Sequence, residues 1–270
     1  MTRFLYIDVV GGAAGDMLLA ALLDAGVPAP PVWKAVDAVL PDRFTCRIDS
    51  VVRGGMRAAL LHIGPGPAAS ASDGPSGAQL EPRPLSDLLA AVDRASLRPR
   101  VAEAARGVLE RLGKAEARVH ASTSAESALH ALGDDDTLLD VVGFAAALHA
   151  AQIDRVWVSA VPLESEGRLP VSGGHPEIPL PAPVTLELLR GFRTRPGGKG
   201  EVVTPTAAAI FATLATPAPG FPDMTIDAIG YGAGTRDPAD RPNVVRVVLG
   251  SQARVRTATG PSRGDDLAVR

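Results

Sequence analysis

The chain opens on an apolar strand that turns directly into an apolar helix. Residues 4–10 read as a buried strand, Gly11, Gly12 and Gly15 form a turn, and residues 14–25 carry the apolar run of a helix. A second helix is predicted over 31–39, followed by a strand pair, 44–52 and 58–63, joined by the Gly54-Gly55 turn. Residues 64–84 are so rich in Pro, Gly, Ala and Ser that they offer too little apolar surface to offset chain ordering, which predicts a mobile loop. Apolar or alanine positions at three-to-four spacing then predict helices over 85–94, 101–119 and 136–150. Six prolines between Pro162 and Pro183 predict a long irregular loop, with a helix starting near Pro183 and a Gly-Lys-Gly turn into a strand at 195–200. Thr204-Pro205-Thr206 starts a short alanine-rich helix, with Thr as N-cap and Pro at the first helical position. Strands at 225–230 and 243–249 close the pattern. The predicted fold is α+β, a mixed sheet from the N- and C-terminal strands with a helical middle, in one domain over 1–250 before a disordered tail at 251–270.

Composition narrows the function class without naming it. The 270 residues are 46% hydrophobic and 21% charged, enough to bury a substantial core. A net charge of −3 with 4% aromatics provides neither the basic stripe nor the stacking platform of a nucleic-acid binder, so no nucleic-acid partner is expected. Cys46 stands alone and cannot form an internal disulfide; its strand-like setting, FTCRIDSVV, marks a packed small residue rather than a nucleophile. The apolar run from Met17 to Leu23 is far too short to cross a bilayer, and no basic-then-apolar leader precedes it. A cytoplasmic protein with no membrane partner is the expectation.

Four constellations carry candidate chemistry. Asp8 and Asp16 flank the glycine turn, where backbone amides at the positive end of a helix could meet a metal–phosphate ligand, the cation offsetting repulsion between phosphate and carboxylate. The turn lacks the Gly-Lys-Ser/Thr ending of a P-loop and the full GxGxxG spacing, so a purely structural strand–turn–helix stands beside that reading. Glu126, His130, Asp134, Asp135, Asp136 and Asp140 gather around a helix start. Asp134 to Asp136 are explained by capping, but Asp140 lies a turn inside the helix among Leu138, Leu139, Val141 and Val142, where a carboxylate needs a cation or a donor. Asp136 and Asp140 share a helix face, and with His130 they offer imidazole and carboxylate to a divalent first-row metal. His175 precedes a rigid proline-rich stretch that suits a ligand or an acid/base, or leaves it solvated and inert. Gly230-Tyr231-Gly232-Ala233-Gly234, followed by Arg236, Arg241, Asn243 and Arg246, could bring backbone and guanidinium to an anion; a strand bulge and turn is the structural alternative.

The blocks GGAAGDMLLAALLDAGVP, HPEIPLPAPVTLELL, GEVVTPTAAAI, MTIDAIGYGAG and RPNVVRVVLG, in this order and spacing, resemble the nickel-insertion protein of nickel-pincer cofactor synthesis, the LarC family. The resemblance covers nearly everything from Phe4 to Gly250. It implies insertion of Ni(II) into pyridinium-3,5-bisthiocarboxylic acid mononucleotide, forming one carbon–metal and two sulfur–metal bonds with the use of CTP and a divalent metal such as Mg or Mn. The product is the cofactor of lactate racemase and related enzymes. The resulting expectation is a substrate-binding set of Asp8, Gly11, Gly12, Gly15, Asp16, Tyr231 and Arg241, and a metal set of His130, Asp136, Asp140 and His175.

Three departures qualify that implication. The loop over 64–84 has no histidine, whereas many relatives carry a histidine-rich run there. Around the helix start, ESALHALGDDDTLLD keeps His130, Gly133, Asp136 and Asp140 but has Ala128 and Ala131 where the family uses a histidine and a glutamate, which implies weaker nickel binding. Full-length relatives continue into a CTP-linked C-terminal domain, so this chain is expected to be the N-terminal part and to need that domain as a separate partner chain, with apo lactate racemase or a related enzyme downstream. A non-catalytic binding or scaffold relative is the alternative, explained by the same two alanines.

Overall fold

Strand β1 (Thr2–Asp8) runs through the middle of the protein because both of its edges find partners. The computed structural model describes residues 2–68, 84–120, 134–169 and 177–252. After β1 come α1 (Gly15–Asp24), α2 (Ala29–Val39), the hairpin β2 (Phe44–Arg53) and β3 (Met56–Pro65), then helices α3 (Leu85–Arg94), α4 (Pro99–Val119) and α5 (Asp135–Ala150). Next are β4 (Arg155–Val158), β5 (Val161–Glu166), β6 (Arg168–Leu169), β7 (Ile178–Pro179), α6 (Pro183–Leu188) and β8 (Thr194–Lys199). The chain ends in α7 (Pro205–Leu214), β9 (Thr216–Pro217), β10 (Thr225–Ala233) and β11 (Val244–Gln252). The main sheet has seven strands in the order β2-β3-β10-β11-β1-β4-β9, with β1 antiparallel to β11 and parallel to β4. The α+β class, with a mixed sheet built from N- and C-terminal strands, is the one expected.

Alternation along the strands sends one set of side chains to the helices and the other away from them. Leu5 and Ile7 of β1 and Val9 just after it, with Val245, Val247 and Leu249 of β11, join the principal core, to which α1 contributes Met17 to Leu22, α5 Leu138, Val142 and Phe144, and α7 Phe211. Tyr6 and Val248 face the opposite side, where Trp157, Ala218 and Met224 cover them. Helix α1 is apolar all round because it is buried between the sheet, α5 and α7. Its approach to β10 is close enough to need glycine: a Cβ at Gly230 would overlap the Ala21 carbonyl oxygen, and one at Gly232 that of Met17. The turn at Gly54-Gly55 has positive φ at both residues, 53° and 79°, as a tight hairpin requires.

Several boundaries differ from the sequence pattern for identifiable reasons. β3 reaches Pro65, and β11 reaches Gln252 because Thr2 and Arg3 pair with Gln252 and Ser251, so the first two residues assigned to the tail are strand. The expected irregular stretch at 162–183 contains β5, β6 and β7; β5 is held by parallel pairing with β8, itself a strand where a turn was expected. β4 had no counterpart in the pattern. The rest of the predicted mobile loop, residues 69–83, and tail residues 253–270 lie outside the described residues. Thr204 caps α7 as expected, its hydroxyl accepting from the Ala207 N–H at 3.3 Å, with Pro205 at the first position. None of the described helices is long and apolar enough to cross a membrane.

The glycine contact under α1 can be tested by adding one carbon. Gly232→Ala should destabilise the fold by at least about 2 kcal/mol in urea unfolding, since neither backbone can yield. Gly220→Ala, where an added Cβ meets nothing within 4 Å, should change stability by less than about 0.5 kcal/mol.

Candidate functional site

The N-terminus of α1 is met by a side chain from another helix. Asp140, one turn inside α5, lies over Gly15 so closely that a Cβ there would overlap its carboxylate. The Asp16 backbone N–H favours the charged form of that carboxylate, so the helix end supplies a donor for the acid that looked unaccountable in sequence. The supply is incomplete. Oδ1 of Asp140 is shut off from solvent and has no hydrogen-bond partner. Burial, then Asp16 and Asp136, push the Asp140 carboxyl well above the ordinary carboxylate range.

The other acids of the α5 start divide by role. Asp134 caps the helix, accepting from the Thr137 N–H at 3.0 Å. Asp135 pairs with Arg43 at 2.8 Å. Asp136 turns toward the α1 end, where burial and then Asp134, Asp135 and Asp16 raise it to about 6. Asp16 is raised by burial against opposing backbone hydrogen bonds, one of them from the Met17 N–H at 2.8 Å. Cys46 is half-buried, and burial with the charges of Asp140 and Asp136 lifts its thiol to about 11, which keeps it protonated.

Two acids absent from the expected set stand at the segment bonded to the turn. Glu164 of β5 is 3% exposed and its Oε2 accepts from the Val202 N–H at 3.3 Å, while its Oε1 is buried without a partner. Burial raises it, and its own backbone N–H, the Val202 N–H and then Arg241 partly offset that. Glu201 is raised by burial and by Glu164, with Arg236 opposing. The segment holding them fastens the turn: the Val202 carbonyl accepts from Ala13 N–H at 2.9 Å, and Thr204 N–H donates to the Ala13 carbonyl at 3.0 Å. Every carboxylate that shows a clear upward shift among the described residues, Asp16, Asp136, Asp140, Glu164 and Glu201, therefore borders residues 12–16. Glu201 lies in the GEVVTPT block, which was one sequence signal for it; Glu164 had none, because β5 pairs only with distant β8.

The remaining sequence candidates take structural positions around this centre. The Gly11 amide donates to the Val244 carbonyl at 3.1 Å, and Gly12 faces Asn243 and the Val202 carbonyl too closely for a side chain. Arg241, 11% exposed, donates from Nε to the Gly11 carbonyl at 2.8 Å and from NH1 to that of Lys199 at 2.8 Å. Asp8 lies on the sheet face away from α1 and pairs with Arg246; Tyr231 stands opposite Arg246 on β10 and bonds the same guanidinium. Asp8 and Tyr231 thus flank one arginine, on the other face of the sheet from Asp16. His130 and His175 lie outside the described residues. Among the described residues no three His, Cys, Asp or Glu side chains group so as to hold a metal ion by themselves.

Comparison with known proteins gives a consistent picture. Residues 5–265 match the family model described as nickel insertion protein. The chain is 39% identical over 249 residues to the pyridinium-3,5-bisthiocarboxylic acid mononucleotide nickel insertion protein of a Nocardioides species, covering 92% of this chain and 60% of that protein. It is 33% identical over 263 residues to the protein of the same name from Geobacillus kaustophilus, covering 96% and 62%. The chain thus spans about three fifths of the length of these relatives. No solved structure matches.

The raised acids make a pH prediction for the metal-free protein. A carboxyl held above its ordinary value of 3.8 favours the folded state fully below that pH, and the contribution is lost as pH rises through the folded value, about 6 for Asp136. With chelator present, the urea midpoint should therefore carry a component that falls between these values. Asp140→Asn should flatten it and raise stability at neutral pH; an unchanged slope would mean that Asp140 is not held above its ordinary range.

Proposed function

The chain belongs to the nickel insertion protein family, and we propose that it takes part in inserting nickel into pyridinium-3,5-bisthiocarboxylic acid mononucleotide. The observation that carries the reading is the buried, partnerless Oδ1 of Asp140 at a junction where Asp16 and Asp136 are held above their ordinary range. A divalent cation answers that arrangement directly, because it offsets the repulsion and occupies the missing partner's place. Carboxylates alone make a hard site. Imidazole from His130 and His175 would soften it toward nickel and allow transfer to sulfur. Ni(II) is here the substrate metal, with Asp136, Asp140, His130 and His175 as its donors and Asp16 moved from the substrate-binding set to their side.

The pyridinium mononucleotide would then lie beside the glycine turn, whose Gly12 and Gly15 are themselves covered by Asn243 and Asp140. Gly11 and Arg241 act beneath it by holding the turn in place, as their bonds to Val244 and Lys199 support. Asp8, Tyr231 and Arg246, on the neighbouring strands β1, β10 and β11, offer polar groups on the far sheet face. CTP, with Mg or Mn, would act through the C-terminal domain supplied as a separate chain, and the finished cofactor would pass to apo lactate racemase or a related enzyme.

Two measurements test this. Nickel affinity by calorimetry should fall roughly tenfold or more in each of Asp140→Ala, Asp16→Ala, His130→Ala and His175→Ala. Unchanged affinity in all four would remove these residues as ligands. Cofactor formation, followed by activation of apo lactate racemase with nickel and CTP, should require the added C-terminal domain. Full activity of the isolated chain without CTP would end the partner-domain account, and none with the partner present would favour a non-catalytic relative.

A further inference from the structure

Glu164 is a buried acid that the metal site does not use. Its Oε2 is engaged by the Val202 N–H, and that residue's carbonyl is engaged by Ala13, so the side chain hangs from the segment that pins the glycine turn. Oε1 has no partner although the residue is 3% exposed. A buried carboxylate oxygen left unsatisfied is costly, and a structural acid would be replaced at little loss by an apolar or amide side chain. Charged and titratable neighbours are Arg241, whose guanidinium partly offsets the burial, and the half-buried Glu201.

We propose that Glu164 is the base that takes the proton displaced from the pyridinium ring as nickel enters. The inference rests on the functional reading above. A metal held by sulfur on the substituents at both ring positions faces the ring carbon between them. When the carbon–metal bond forms, the carbon–hydrogen bond breaks, its electron pair becomes the carbon–nickel bond and nickel stays Ni(II). One proton must leave, and no oxidant or reductant is needed. Asp16, Asp136 and Asp140 are poor acceptors at that moment because a cation lowers the basicity of the carboxylates around it. Glu164 hangs from Val202, which is bonded to Ala13 in the turn, keeps an oxygen without a hydrogen-bond partner, and has Glu201 beside it to pass the proton toward solvent.

The test uses the chain with the C-terminal domain, CTP, nickel and substrate carrying deuterium on that ring carbon. Glu164→Gln keeps an acceptor for the Val202 N–H, yet insertion and deuterium release should both fall by about 100-fold or more. Nickel affinity by calorimetry should stay within about twofold, because the residue is not a ligand. Formate should restore part of the deuterium release in Glu164→Ala, a rescue that a purely structural role would not give. Insertion by Glu164→Gln within about threefold of the unsubstituted chain, or no rescue by formate, overturns this inference alone. Failure of the unsubstituted chain to insert nickel overturns the functional reading and this inference with it.

Discussion

The arrangement of this protein depends on how closely α1 can be approached. Gly230 and Gly232 let β10 lie directly under the carbonyls of Ala21 and Met17, and Gly143 of α5 leaves room for Leu19 on the opposite side. At the helix start Gly15 gives up its side-chain volume to Asp140. With the sheet against the α1 backbone and α5 packed on Leu19 and, through Asp140, on Gly15, the N-terminus of α1 is confined by close packing on both sides. Any group placed at that end is consequently held in place without strain of its own.

What is placed there is negative charge. The partial positive charge of a helix N-terminus favours a carboxylate, but only over its first turn and only by about 1 kcal/mol in ordinary settings. That can accommodate one acid and does not accommodate three. Asp140 takes the position against the helix end, and all three acids, Asp140 included, are held above the ordinary carboxylate range. The metal-free state thus carries electrostatic strain that cation binding would release, coupling occupancy of the site to stability of the fold.

The sequence was most legible where local chemistry decides the outcome. Thr204 with Pro205 marks the start of α7, and the four-residue spacing of Asp136 and Asp140 marks a shared helix face. It was least legible where distant segments decide. β4 is four residues long and exists because β1 offers a parallel edge; β5 pairs with β8 across more than a whole helix. The glycines of 230–234 announced a close backbone approach, and it is α1 that approaches Gly230 and Gly232 while Asn243 approaches Gly234. Asp16 was recognised as an acid at a helix start, while its proximity to Asp140 depends on how α1 and α5 pack.

Acids elsewhere in the described chain show what the site is not. Asp8 pairs with Arg246, Asp24 with Arg57, Asp135 with Arg43, Asp240 with Arg241, and Glu187 with Arg118 and Arg190. A fold that matches acids to arginines this regularly has the means to neutralise buried charge. Around residues 12–16 it does so incompletely: Asp140 and Glu164 each keep a buried oxygen with no donor. One orphan oxygen could be accommodated as a local imperfection of packing. Two, linked through the glycine turn and the Val202 backbone bonded to it, fit the proposed division of labour between holding a cation and accepting a proton. That division also explains why the turn must be rigid, since the two acids can act on one substrate only while the backbone between them keeps its shape.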